Sequence, residues 1–167
     1  FDKKYAGSGI PYRFLRFKND KLDVTVGNFY EQFGSGIILR GYEERGLGFD
    51  NAFDGIRMSY LPNPGITLKA FIGKQRFYFE TGPGIVRGVD GEISLNEACK
   101  NLEDAKTRIT IGGSFVSKFQ KDEDPVYKLP ENVGAGSGRI NIQRGDYTLN
   151  LEYANKINDP SADNNFI

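Results

Sequence analysis

The sequence predicts an all-β protein: an antiparallel up-and-down transmembrane β-barrel, present as a segment of about eight strands of a larger barrel. Three observations support this. Apolar residues recur with period two along nearly every run, and almost nowhere with the spacing of a helix. The composition is β-rich, with 13% aromatics and 21 glycines against only 38% hydrophobic residues. Long and short connections alternate along the chain. In an up-and-down sheet that sorts the long loops to one end and the tight turns to the other, as outer-membrane barrels do, whereas a soluble sandwich has no reason to sort them.

The first hairpin is expected at Ile10 to Lys18 and Leu22 to Tyr30, turning at Asn19 and Asp20, with Leu22, Val24 and Val26 on one face and Asp23, Thr25 and Gly27 on the other. The second surrounds the turn Pro62 to Gly65. Ile56, Met58 and Tyr60 answer Ile66, Leu68, Ala70 and Ile72, and Arg57, Ser59, Thr67 and Lys69 take the opposite face. A strand near Ile85 to Leu95 places Val89, Ile93 and Leu95 against Asp90, Glu92 and Ser94. Its partner, Thr107 to Phe119, alternates Ile109, Ile111, Phe115 and Phe119 with Arg108, Thr110, Ser114 and Lys118. NEACKNLEDAK between them suits a single helical turn. The last hairpin joins Arg139 to Arg144 with Tyr147 to Asn155 through Gly145 and Asp146. Long connections are expected at 31–53, 76–84 and 120–137, and the chain is expected to be one barrel segment over 1–167, incomplete at both ends.

Several function classes recede at once. The 22 basic residues cancel the 22 acidic ones, so no basic field points to nucleic acid. Cys99 is the single cysteine and histidine is absent, which precludes an internal disulfide and leaves a thiol with no imidazole to activate it. No apolar run of about 18 residues predicts a membrane helix, but barrel strands cross with about ten alternating residues. The opening FDKKYAGSG lacks the pattern of a signal peptide, so an export signal is expected outside this sequence.

In a porin-like barrel the apolar parity meets lipid and the polar parity lines a lumen. Arg57, Lys69, Asp90, Glu92, Arg108 and Glu152 are therefore the expected lumen-facing residues, with Lys69 opposite Asp90 or Glu92 and Arg57 near enough to share those acids. Tyr60 and Tyr147 fall beside two short turns on the apolar parity, where an interfacial aromatic belt would want them.

The stretch from Glu31 to Phe53 is too long and too apolar for a simple outer turn. Phe33, Arg40, Tyr42, Glu43, Glu44 and Arg45 belong to an expected lumen loop whose charges pair with wall residues such as Arg57 and Glu92. Glu43 with Glu44, or Asp50 with Asp54, would be paired carboxylates for glycoside hydrolysis only at a fixed separation, and acids scattered this freely read as solvated or salt-bridged. GAGSGR at 134–139 lacks the Lys-Ser/Thr ending of a phosphate loop and reads as a flexible loop, and Asp159, Ser161 and Asp163 open a calcium-loop spacing without its later Gly and Glu. No enzyme activity, catalytic residue, cofactor or metal is expected.

With the strands placed, DVTVGNFYEQFGSGIILRGYEERGLGFDNAFDGIRMSY from Asp23 to Tyr60, with GKQRF from Gly73, VRGVDGEISL from Val86 and GGSFVS from Gly112, resembles Bacteroidota outer-membrane barrel-like proteins classed as a domain of unknown function. The chain is more distantly similar to alginate-export-type porins. The resemblance implies the outer membrane of a Gram-negative bacterium, a barrel longer than this segment, and no catalytic residues. Outer-membrane lipid, and other outer-membrane or surface proteins, are the expected partners. The competing expectation is a soluble all-β binding domain such as a surface carbohydrate-binding sandwich.

Overall fold

The computed structural model describes residues 7–77, 79–123 and 129–159. Its main body is one eight-stranded antiparallel sheet. The strands are β1 (Phe14–Lys18), β2 (Leu22–Phe29), β5 (Phe53–Tyr60), β6 (Ile66–Phe77), β7 (Glu80–Ser94), β8 (Thr107–Phe119), β9 (Asn132–Arg144) and β10 (Tyr147–Ile157). They stand side by side in chain order, an up-and-down meander, and the sheet does not close: β1 and β10 are its two edges. A two-stranded ribbon, β3 (Glu43–Glu44) with β4 (Phe49–Asp50), lies within the connection from β2 to β5.

Local chemistry sets the turns. Asn19 Oδ1 accepts from the backbone N–H of Lys21 and Leu22 at 2.9 and 2.7 Å, closing the first hairpin. Gly145 supplies the positive φ of 57° that the β9–β10 turn needs. Between β7 and β8 a helical turn α1 (Leu95–Ala98) and a 3-10 turn at Lys100–Leu102 occupy the expected helical position. Buried Asn96 holds that connection, donating to the Leu102 and Thr107 carbonyls and accepting from the Ile109 N–H. Leu95 accordingly belongs to α1 and not to the strand before it.

Three sequence expectations are corrected. The long connection at 76–84 is absent, because β6 and β7 continue through it to a tight turn at Phe77 and Glu80 after a register shift between Lys74 and Arg76. Gly82, Pro83 and Gly84 resemble loop punctuation, but β8 ends at Phe119 opposite Ile85, so Pro83 breaks no ladder bond on that side. GAGSGR likewise is strand: β9 begins at Asn132 and pairs across it on both sides. Conversely, β1 starts at Phe14 and not at Ile10. Ser161 and Asp163 of the calcium-like spacing lie outside the described residues.

The faces of this sheet are inverted relative to a soluble protein. One parity holds Val26, Ile56, Met58, Leu68, Ile72, Val89, Ile111, Phe115, Leu149 and Leu151, all 40–55% exposed because no layer lies on them. The other parity carries the charged residues, and it is this face that is covered. The core consists of Phe29, Phe53, Phe71, Val86 and Val116 from the polar-parity face with Phe33 and Leu39 from the β2–β5 connection. Phe33 is fully buried.

Candidate functional site

The covered face is built by the connection folding back across it. After β2 the chain makes a compact limb from Tyr30 to Gly41, closed by the Phe33 N–H to Leu39 carbonyl bond at 3.2 Å and the Gly41 N–H to Glu31 carbonyl bond at 2.8 Å. Gly34 and Gly36, at φ 53° and 94°, take the left-handed conformations that let the limb reverse so tightly. At its tip Phe33 packs edge-on to Phe71, ring centroids 5.6 Å apart. The slot for its ring exists because the wall there is Gly88: a Cβ at that position would stand 2.7 Å from the Phe33 ring and 2.6 Å from that of Phe71.

Ionic contacts fix the limb on either side of this wedge. Glu31, buried, accepts from Arg57 at 3.3 Å and from Lys69 at 3.4 Å, while Lys69 also donates to the Gln32 carbonyl at 3.2 Å. Arg57 continues to Asp23 at 3.0 Å, and Asp23 to Arg16 at 2.5 Å. Further along the limb, the Ser35 N–H donates to Glu152 on β10 at 2.9 Å. Beyond it Arg139 on β9 binds Asp90 at 2.8 Å and Glu92 at 3.1 Å, and Ser114 donates its hydroxyl to Asp90 at 2.6 Å. Buried charges persist only when paired and hydrogen-bonded, and Arg139 and Asp90, with side chains 5% and 3% exposed, satisfy that condition.

The second limb behaves differently. Arg40 lies over the Tyr42 ring at 4.9 Å, Tyr42 packs on Phe49, and Glu43 pairs with Arg45 at 3.2 Å on the exposed β3–β4 ribbon. The ribbon's base is anchored by Asp50, which pairs with Arg76 and accepts from the Tyr30 hydroxyl at 3.1 Å. Arg76 also donates to the Pro11 carbonyl and sits over the Tyr12 ring. Burial, with Asp50 beside it, pushes the Tyr30 hydroxyl well above the usual tyrosine range.

Sequence reasoning locates part of this site. Arg57, Lys69, Asp90, Glu92, Arg108 and Glu152 share one face, and Lys69 stands in register with Asp90 as expected. Five of them meet the limb or its neighbours; Arg108 is exposed at the short-turn end, away from the limb. The partners, however, differ. Lys69 and Arg57 serve Glu31, and the cation shared by Asp90 and Glu92 is Arg139. Of the six expected loop residues only Phe33 is buried against the wall, whereas Arg40, Tyr42, Glu43, Glu44 and Arg45 are exposed, so the expected pairing of these charges with Arg57 and Glu92 is overturned. Glu31 and Arg139 are the functional residues missed. Arg139 has the same parity as Ser137 and Asn141, a signal hidden by treating the glycine run before it as a loop. Among the described residues, no set of three or more His, Cys, Asp and Glu side chains is placed to hold a metal ion. Cys99 is exposed in the β7–β8 connection, away from this face.

Fold and site together define an open antiparallel meander with an uncovered apolar face and a charged face occupied by its own loop. The chain belongs to DUF6029, a family of unknown function, which it matches over residues 1–167. Comparison with curated proteins and with solved structures yields no match. No helix among the described residues is long and apolar enough to cross a membrane, a statement that does not bear on strands.

Proposed function

We propose that this chain forms part of the wall of a Bacteroidota-type outer-membrane β-barrel, in the outer membrane of a Gram-negative bacterium. In this proposal it acts as a porin-like channel or as the membrane-embedded component of an outer-membrane assembly. The observation that carries the proposal is the inversion of the sheet. Leu68, Ile72, Val89, Ile111 and Leu151 are 43–55% exposed on the bare face, while Asp90, Glu31 and Arg139 are buried on the covered one. In water the bare face would forgo about 25 cal/mol per Å² of apolar surface left uncovered, and lipid removes that cost.

Most charges of the bare parity keep to its ends: Asp54 and Lys74 stand toward the loop-bearing end, and Arg144 stands beside the β9–β10 turn. Arg87 is the exception, opposite Ile72 in the middle of β7, where it donates to the Ser117 hydroxyl at 2.9 Å. Tyr60 and Tyr147 share that parity at the short-turn end.

The loop also bears on barrel size. Eight strands enclose an interior that wall side chains already fill. Here the same face accommodates a whole chain segment packed on it through Phe33 and Leu39, so a closed wall contains more strands than the eight of this sheet. Membrane fractionation in a Gram-negative host is the test. The protein should sediment with the outer membrane, come out only in detergent, and change gel mobility on heating. Protein that stays soluble and monodisperse without detergent overturns the proposal and leaves the soluble all-β binding domain standing.

A further inference from the structure

We infer that solutes pass the loop on its β9–β10 side and that this passage prefers cations, with Glu92 and Glu152 setting the preference; the inference rests on the channel proposed above. The two flanks of the limb are unlike. Toward β5 and β6 it is tied to the wall by ion pairs, through Glu31 to Arg57 and Lys69, and by the fully buried Phe33. Toward β9 and β10 it meets the wall through the Ser35 N–H to Glu152 bond, and beside that bond a cavity of about 420 Å³ opens. Glu92, Asn141, Asn150 and Glu152 line it, and across Gly34 it adjoins a second cavity of about 240 Å³ beneath Gln32.

The charges of this opening are distributed unequally between surface and interior. Its guanidinium, Arg139, is 5% exposed and engaged with Asp90, Glu92 and Ser114. Buried Asp90 already balances that one positive charge. The Glu92 side chain is 41% exposed, and Glu152 lines the same wall. Asn141 and Asn150, opposite each other across β9 and β10, are neutral. Lys69, at the far side of the smaller cavity, is held by Glu31 and the Gln32 carbonyl. A passing ion therefore meets the Glu92 and Glu152 carboxylates and two neutral amides, with the Arg139 guanidinium buried behind them. In a narrow, low-dielectric passage such a lining concentrates cations.

Reversal potential under a KCl gradient in planar bilayers tests this, with the wild-type protein beside Glu92→Gln, Glu152→Gln and the double variant. Glutamine can still accept from Arg139 and from the Ser35 N–H, so the limb keeps its anchors. The wild type should show a cation-selective reversal potential, each single variant should move it toward zero, and the double variant should abolish the preference with conductance retained. A wild-type channel that is non-selective or anion-selective overturns the inference without any variant. So does a double variant that keeps the wild-type potential. A correctly inserted wild type that conducts nothing removes the channel itself, a different failure from a channel of the wrong selectivity.

Discussion

Replacing Phe33 with Ala tests whether the first limb is held by its wedge. The Phe33 ring is fully buried, 5.6 Å from Phe71 and above the slot left by Gly88. Truncating a buried Phe costs about 3–5 kcal/mol. Glu31 keeps its ion pairs with Arg57 and Lys69, which favours the lower end, about 3 kcal/mol. At about 1.4 kcal/mol per factor of ten, the undocked population rises roughly a hundredfold. None of this touches the β-ladder, because Phe33 belongs to no strand. Hydrogen exchange in detergent micelles reads the effect directly. The N–H groups of Phe33, Ser35 and Gly41, which bond to Leu39, Glu152 and Glu31, should lose protection by about that factor, and the β9–β10 ladder should keep its own. Loss of less than about tenfold in the limb, or equal loss in the ladder, would refute the view that a single aromatic wedge fixes the loop on the wall.

Leu68→Arg should destabilise the protein in lipid by about 2–4 kcal/mol, and Asn150→Arg should be tolerated, in unfolding measured in the same bilayer; similar effects at both sites refute the facing. Gly88→Ala adds a Cβ that would meet the rings of Phe71 and Phe33 at 2.6 and 2.7 Å, so overpacking of about 1–3 kcal/mol should increase exchange in the Phe33 limb as the Phe33 truncation does. Unchanged exchange would mean that the slot is wider than described. Because the folded state holds Tyr30 neutral, the stability it contributes is complete below the unfolded-state value near pH ~10 and is lost as pH rises above it. Tyr30→Phe should therefore make alkaline unfolding less steep above that pH, and an unchanged profile would rule out the linkage.

Strand identity and facing were legible in the sequence because each residue's side of a sheet follows from parity alone. Thr107–Phe119 is a strand over the expected residues, and Lys69 lands opposite Asp90. Segments where glycine and proline obscured the alternation were misjudged: β6 reaches Phe77 and β7 begins at Glu80, and 134–139 is paired strand, since a ladder tolerates residues that local propensity rejects. Parity also places a charge on a face without saying which countercharge reaches it. That Glu31 would claim Arg57 and Lys69, leaving Asp90 and Glu92 to Arg139, depends on where a long loop lands, and Phe33 decides that by finding the one slot where Gly88 provides no side chain. The sequence by itself determined the meander, its apolar and charged faces, and that the Glu31–Phe53 segment must pack somewhere. Only the tertiary structure decided that its first limb crosses the charged face while its second stays exposed, because docking depends on complementary shape between residues far apart in the chain.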